Sequence, residues 1–189
     1  MNRLLMIPLT VLGLSVLAGC AAVRGGYESA PYRLVRSMKG MEIREYPRLE
    51  VAETRMGNGA NGGFGRLFRY ISGDNAHERR IPMTTPVLMQ GGRMGFVMPA
   101  ASAVASLPKP SDSLVALVSI PGGEFAVLRF SGGRTRQNEI VAERRLRERM
   151  TAAGLQADSE PIFAYFDPPW TPSFLRRNEV MIRIAAPRS

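Results

Sequence analysis

Among its 189 residues the chain has one cysteine, one histidine and one tryptophan. A single cysteine cannot close an internal disulfide, so a disulfide scaffold is excluded. A lone histidine cannot supply a multi-histidine metal site or a Glu-x-x-His pair. Most metal-hydrolase and zinc-finger chemistry is excluded with it. Acidic side chains are also scarce: 16 Asp+Glu stand against 25 Lys+Arg, a formal net charge of +9. With a sequence pI near 10.7, the excess favours acidic partners: anionic lipid, nucleic acid or a carboxylate-bearing ligand. The rest of the composition is ordinary for a globular domain, at 45% hydrophobic and 22% charged residues. The length suits one domain, or one domain with a tail.

Long apolar runs are missing beyond the first segment. There, Arg3 is followed by a charge-free run from Leu4 to Ala18, ending in Leu17-Ala18-Gly19-Cys20. The run is short for a permanent membrane helix and has the flanks of a secretory signal. Its end resembles the lipobox of bacterial lipoproteins, which implies cleavage before Cys20 and acylation of that residue. Residues 1–19 are then a signal peptide, 20–30 a lipidated tether and 31–189 the folded domain. Cleavage removes only Arg3, leaving 24 basic against 16 acidic side chains, net +8. Ala21, where retention would call for Asp, favours the outer membrane over the inner one. An acylated Cys20 is consumed as an anchor and is lost to catalysis or metal binding.

The mature chain alternates strand-like runs with two helical windows. Runs at 32–37, 41–46 and 50–55 read as strands. Phe64, Leu67, Phe68 and Ile71 then fall at i, i+3, i+4, i+7, one face of a helix that Gly73 terminates. Strands are expected at 83–89 and 94–98, followed by a proline-punctuated loop over 99–113. A hairpin at 114–120 and 124–130 precedes a second helix over about 138–153, with Ala142, Leu146, Met150 and Ala153 as its apolar stripe. Runs at 162–166 and 179–184 close the chain. Each half thus reads strand, strand, helix, strand, strand. Shifting the sequence by about 82 residues lays Ser37, Gly40 and Glu42 on Ser119, Gly122 and Glu124. The expected fold is α+β: a pseudo-twofold duplicated unit, with about eight strands in one antiparallel barrel-like sheet and two flanking helices.

The chemistry-bearing residues point away from catalysis. There is no Gly-x-Ser-x-Gly elbow and no P-loop or Rossmann glycine pattern, and nothing pairs the strand carboxylates Glu42, Glu53 and Glu124. Nucleic acid binding is not expected, because Arg144, Arg145, Arg147 and Arg149 are compensated by Glu139, Glu143 and Glu148. The first helix, by contrast, offers Phe64 and Phe68 beside Arg66 and Arg69. An aromatic floor edged by guanidinium groups suits a flat amphipathic acid, and a tetrapyrrole with two propionates is such a ligand. An apolar stripe on a helix is equally what core packing requires. His77, in the polar connection after the helix, is the one imidazole available to haem iron.

Several stretches carry a family resemblance in order and spacing: Met41-Glu42-Ile43-Arg44-Glu45-Tyr46-Pro47, Gly65 to Asn75, Ile81-Pro82-Met83-Thr84-Thr85-Pro86-Val87, Phe96-Val97-Met98-Pro99, and Phe166-Asp167-Pro168-Pro169-Trp170-Thr171-Pro172 running into Arg176-Arg177-Asn178-Glu179-Val180. Together they resemble the SOUL haem-binding family over residues 31–185. The resemblance implies non-covalent haem or porphyrin binding by a monomer, with the ring on the first helix. By position, ring contacts fall on Phe64 and Phe68 and the helix base on Arg69. A second base, which follows Asp-Pro-Pro-x in the family, falls on Thr171 and is lost here. Propionate pairing must lean on Arg69 or Arg66. A histidine that serves as axial ligand in another branch corresponds to Glu45. Carriage or buffering of haem at the cell envelope is the expected role, with no catalysis. The alternatives are a small-ligand hydrolase on the same scaffold and a lipid- or effector-binding module without tetrapyrrole preference.

Overall fold

The computed structural model describes residues 26–57 and 60–186. The expected signal segment 1–19, the expected acylation site Cys20 and the expected tether as far as residue 25 lie outside the described residues. The strands are β1 (Glu28–Ser29), β2 (Arg33–Met38), β3 (Met41–Tyr46), β4 (Leu49–Arg55), β5 (Thr84–Thr85), β6 (Val87–Gln90), β7 (Arg93–Val97), β8 (Ala116–Ile120), β9 (Gly123–Phe130), β10 (Ile162–Tyr165) and β11 (Asn178–Arg183). The helices are α1 (Ala60–Ser72) and α2 (Arg136–Ala152). The run expected as one strand over 83–89 is split at Pro86, which has no N–H for a ladder. Its first part, β5, instead pairs in parallel with β1. A described strand therefore lies within the expected tether.

Nine strands form one sheet in the order β2-β3-β9-β11-β10-β6-β7-β4-β8. All its neighbours are antiparallel. Strands β3 and β4 stand near opposite ends of this order, yet only Pro47 and Arg48 join them. So short a link forces the sheet to curl until its ends approach. The same holds for β8 and β9, joined by Pro121 and Gly122. A Cβ on Gly122 would lie 2.9 Å from the Pro47 carbonyl carbon and the Arg48 nitrogen, so the two links touch where only glycine fits. The sheet is barrel-like as expected, with nine strands rather than about eight. No ladder joins β2 to β8, so it is not closed.

The register shows the duplication and corrects its offset. Glu42 pairs with Val127 and Leu117 with Ala52, so an advance of 75 positions carries Glu42 to Leu117 and Ala52 to Val127. The same advance carries Leu88 to Phe163 and Met89 to Ala164, and it exchanges the Phe163–Met89 and Ala164–Leu88 pairs. The pseudo-twofold axis thus passes between β6 and β10. The repeated unit is β3-β4-α1-β6-β7 against β8-β9-α2-β10-β11, and β2 lies outside it. The offset of 82, which laid β2-β3 on β8-β9, follows the Ser-x-x-Gly-x-Glu likeness rather than the strand pairing.

Alternation along the strands divides the core into two faces. Leu49, Val51, Leu88, Val97, Phe125, Val127 and Met181 fill the concave side. On the convex side, Leu67, Tyr70 and Ile71 of α1 pack on Ala52, Met89, Met94 and Phe96. Ala142, Leu146 and Met150 of α2 pack on Met41, Ile43, Ala126, Leu128, Val180 and Ile182. Each fully buried Leu- or Phe-sized side chain stabilises the fold by about 1.5–3 kcal/mol. The helices match by burial: Gly63, Leu67 and Ile71 of α1 face the sheet as Ala142, Leu146 and Met150 of α2 do. A Cβ at Gly63 would sit 3.4 Å from the Met56 Cα, so a small residue there lets the first turn of α1 approach the end of β4. Helix α2 opens on Thr135, whose side chain accepts from the Asn138 amide at 3.2 Å.

Candidate functional site

The convex surface of α1 carries the predicted aromatic pair. Leu67 and Ile71 are spent on the core. That leaves Phe64 and Phe68, one turn apart, on the flank of the buried stripe. Phe64 is 41% and Phe68 50% exposed. Their rings lie 6.0 Å apart and nearly parallel, at 13°. Phe64 is braced from below by the buried Phe96 ring, edge-on at 5.2 Å. Two half-exposed rings held in one orientation form a flat apolar platform whose outer faces are in water. Such a platform gains by accepting another flat apolar group.

The two helix arginines differ in availability. Arg66 Nη1 donates to Thr54 Oγ1 at 2.9 Å and to the Arg55 carbonyl at 3.3 Å. Its Nε stands 3.3 Å from an Asp112 oxygen. Arg66 is therefore occupied in fixing α1 to the end of β4 and to the 99–113 loop. Arg69 is 60% exposed, and its carboxylate contacts, to Asp74 at 3.9 Å and Asp112 at 3.8 Å, are long. Exposed pairs of that length contribute little, so Arg69 can turn to an arriving carboxylate. The 99–113 loop backs this arrangement: Tyr70 Oη donates to the Pro108 carbonyl at 3.0 Å and the Ala76 amide to the Lys109 carbonyl.

The remaining predicted residues are held by their own neighbours. His77 is exposed, and its amide donates to Asn75 Oδ1 at 3.3 Å. Asn75 is the buried organiser of that turn: its Nδ2 donates to the Tyr70 and Arg79 carbonyls. Thr171 is buried in the 166–177 loop and held there by its own neighbours; its amide donates to the Pro168 carbonyl, and its carbonyl accepts from Arg176 Nε at 2.8 Å. Glu45, at the position of the other branch's histidine, is exposed and accepts from Arg33 Nε at 2.9 Å. Among the described residues no three His, Cys, Asp or Glu side chains gather as a metal site. No described helix is long and apolar enough to cross a membrane. The structure thus stacks Phe64 on Phe68, leaves Arg69 exposed on the same helix near Asp74 and Asp112, and turns Arg66 back to the sheet.

Two polar features escaped the reading of the sequence. On the concave face, the fully buried Arg44 donates to both Glu179 oxygens, at 2.7 and 3.1 Å, and to Glu42 at 2.7 Å. Its guanidinium also lies 4.2 Å from the centre of the Tyr32 ring. Glu179 accepts further from Arg177 at 2.7 and 3.0 Å, so the Arg-Arg-Asn-Glu stretch orders the last strand as a charged cluster. Burial pushes the Glu179 carboxyl up, but the hydrogen bonds and charges of Arg44 and Arg177 outweigh it and hold the group below the usual carboxylate range. Burial likewise disfavours charge on Arg44, and Glu179 more than restores it. The signal for this pair was present, since Arg44 and Glu179 each sit in an alternating run whose neighbours are core. On the convex side, Tyr165 Oη donates to Glu139 Oε1 at 2.5 Å, tying α2 to β10. Burial, then that bond, pushes the Tyr165 hydroxyl far above its ordinary value.

The described chain is a duplicated strand-helix unit on one curled antiparallel sheet, with an exposed aromatic pair on α1. Residues 27–183 match the family model described as SOUL heme-binding protein, and the chain belongs to that haem-binding family. Its ligand class is haem or a related porphyrin, bound non-covalently. The residues present fit such a group: the platform offers an apolar plane to the ring, and Arg69 a cation at its edge. No curated protein matches the chain significantly. Among solved structures, the chain is similar to the EcmrR C-terminal domain (TM-score 0.59, 11% identity, 82% of this chain and 98% of that one). It is also similar to a hydrolase from Listeria innocua (TM-score 0.50, 11% identity, 80% and 94%). At these identities the likeness is one of fold alone.

Proposed function

We propose that this protein carries or buffers haem, or a related porphyrin, at a bacterial cell envelope. The ring lies on Phe64 and Phe68, with Arg69 beside a propionate. Acylated Cys20 tethers the domain to the outer membrane, and the protein acts as a monomer. The observation that carries this reading is the half-exposed, near-parallel Phe64–Phe68 pair, braced by Phe96. Stacking at i, i+4 supports the helix by itself, but it leaves each ring about half exposed, with apolar surface available to a ligand. In this reading ring burial supplies the affinity and iron ligation by His77 is not required. Spectral titration of the purified protein with haemin and with metal-free protoporphyrin tests this. Both should bind at micromolar concentration with similar affinity. Absence of a Soret shift with either ligand at that concentration would overturn the reading.

A further inference from the structure

The two most exposed large apolar side chains of the described residues are Trp170, at 78%, and Phe174, at 75%. Both belong to the loop between β10 and β11, and neither covers the sheet. The loop holds them firmly. Pro168, Pro169 and Pro172 restrict its backbone, and Arg176 donates to the carbonyls of Thr171 and Pro169. The Ser173 carbonyl accepts from the Gly132 amide at 2.9 Å, which fastens the loop to the turn before α2.

Basic side chains outnumber acidic ones around this pair. Arg176 and Arg177 follow it in the chain, and the exposed Arg134 and Arg136 follow Gly132. Arg177 is paired with Glu179, so Arg134, Arg136 and Arg176 stand against Asp167, which accepts from the Arg177 amide at 2.5 Å, and Glu139, which accepts from Tyr165. The amino-terminal segment enters the fold at the same place. Glu28 and Ser29 pair with Thr84 and Thr85, while Val87, two residues on, pairs with Tyr165 at the root of the loop. Ala30 and Phe166 border one interior cavity. The first described strand, β1, therefore lies at the end of the molecule from which the Trp170–Phe174 loop leaves the sheet.

We propose that the Trp170–Phe174 loop docks on an anionic phospholipid surface, seating both rings at the headgroup level with the flanking arginines against the lipid charge. Tryptophan belongs at such an interface because its ring is apolar and its N–H polar. Each nearby arginine adds attraction that salt screens. The inference does not depend on acylation of Cys20, because the loop and its arginines stand on the fold alone.

Trp170 is the only tryptophan, so its emission reports this loop and nothing else. The full chain carrying Cys20→Ser is mixed with vesicles of phosphatidylglycerol and phosphatidylcholine, some containing lipid brominated near the headgroup. The expected result is a blue shift of Trp170 emission, quenching by the brominated lipid, and reversal of both in roughly 1 M salt, where the Debye length falls to about 3 Å. Phe174→Asp should weaken vesicle binding about tenfold. Unshifted, unquenched emission from chain that pellets with the vesicles would overturn the inference, for the loop would then stay in water while another segment holds the membrane. Equal quenching in pure phosphatidylcholine would overturn the anionic requirement. A concentration-dependent blue shift without vesicles would assign the loop to a second copy instead. A failed Cys20→Ser partition test with quenching intact would remove the anchor and leave this inference standing.

Discussion

Replacing Phe68 by alanine should weaken haem and metal-free protoporphyrin together, and the structure sets the size of the loss. Phe68 is half exposed, so only its outer face is available to a ligand. A phenylalanine offers on the order of 150–200 Å², and its free half therefore offers roughly 75–100 Å². At about 25 cal/mol per Å² that burial supplies about 2 kcal/mol. Ring stacking adds roughly 0.5–1 kcal/mol, part of which the Phe64 ring retains. The net loss of about 2 kcal/mol corresponds to about thirtyfold in affinity. The fold should survive, because the buried stripe of α1 runs through Leu67 and Ile71 and not through Phe68. Fluorescence quenching for the metal-free ring and Soret titration for haemin give the two affinities, and circular dichroism checks the fold. Arg69→Ala should weaken both ligands by about fivefold or less, since an exposed charge pair is worth at most about 1 kcal/mol. His77→Ala should change neither. If His77→Ala alone abolished haemin binding and spared the metal-free ring, iron ligation would dominate and the platform argument would fail.

Other consequences can be checked separately. Glu179→Ala leaves the buried Arg44 with Glu42 as its only carboxylate partner and should cost about 3–5 kcal/mol of stability in urea unfolding. Because the folded state holds Glu179 below the usual carboxylate range, its contribution is complete above that range and is lost as pH falls through the depressed value. Stability should therefore decline on acidification, and Glu179→Gln should flatten that acid limb. Tyr165→Phe removes the bond to Glu139 and should cost about 1 kcal/mol, seen as a lower unfolding midpoint. Cys20→Ser should leave the protein as a soluble or unprocessed precursor, and unchanged detergent partitioning would refute the anchor.

Most elements were legible because their signals are local. The Ala142-Leu146-Met150 stripe of α2 predicts its buried face, while in α1 only Leu67 and Ile71 of the i, i+3, i+4, i+7 stripe are buried, beside Tyr70, and Phe64 and Phe68 are exposed. The strand runs lie close to their expected bounds, except where Pro86 divides one. The duplication was legible as an order of elements, but its register was not. Register is set by which strands meet across the sheet, and β3 meets β9 while β4 meets β8. The short Ser-x-x-Gly-x-Glu likeness gave a competing alignment that the pairing does not follow. At the site, the spacing of Phe64 and Phe68 placed them on one helix, and the family resemblance assigned them to the ring. It could not tell that Arg66 bonds back to Thr54 while Arg69 has only long carboxylate contacts, since that depends on where the ends of β4 and the 99–113 loop stand in space. The Arg44–Glu179 pair is hidden for the same reason, being 135 positions apart in the chain.

The matched burial of the two helices fixes how many ligands one chain can hold. The advance of 75 positions that relates the strands lays Leu67 on Ala142 and Ile71 on Leu146, and it sets Phe64 against Glu139 and Phe68 against Glu143. In α2 Glu139 accepts from Tyr165 at 2.5 Å and Glu143 pairs with Arg147 at 2.7 Å. The same two surface slots, one turn apart, hold stacked phenyl rings on one copy and carboxylates on the other. The pseudo-symmetric scaffold is therefore functionally one-sided: it should bind one tetrapyrrole per chain and show no cooperativity between halves. Its second helix is a natural blank, against which a transplanted phenylalanine pair could reveal how much affinity the platform provides by itself.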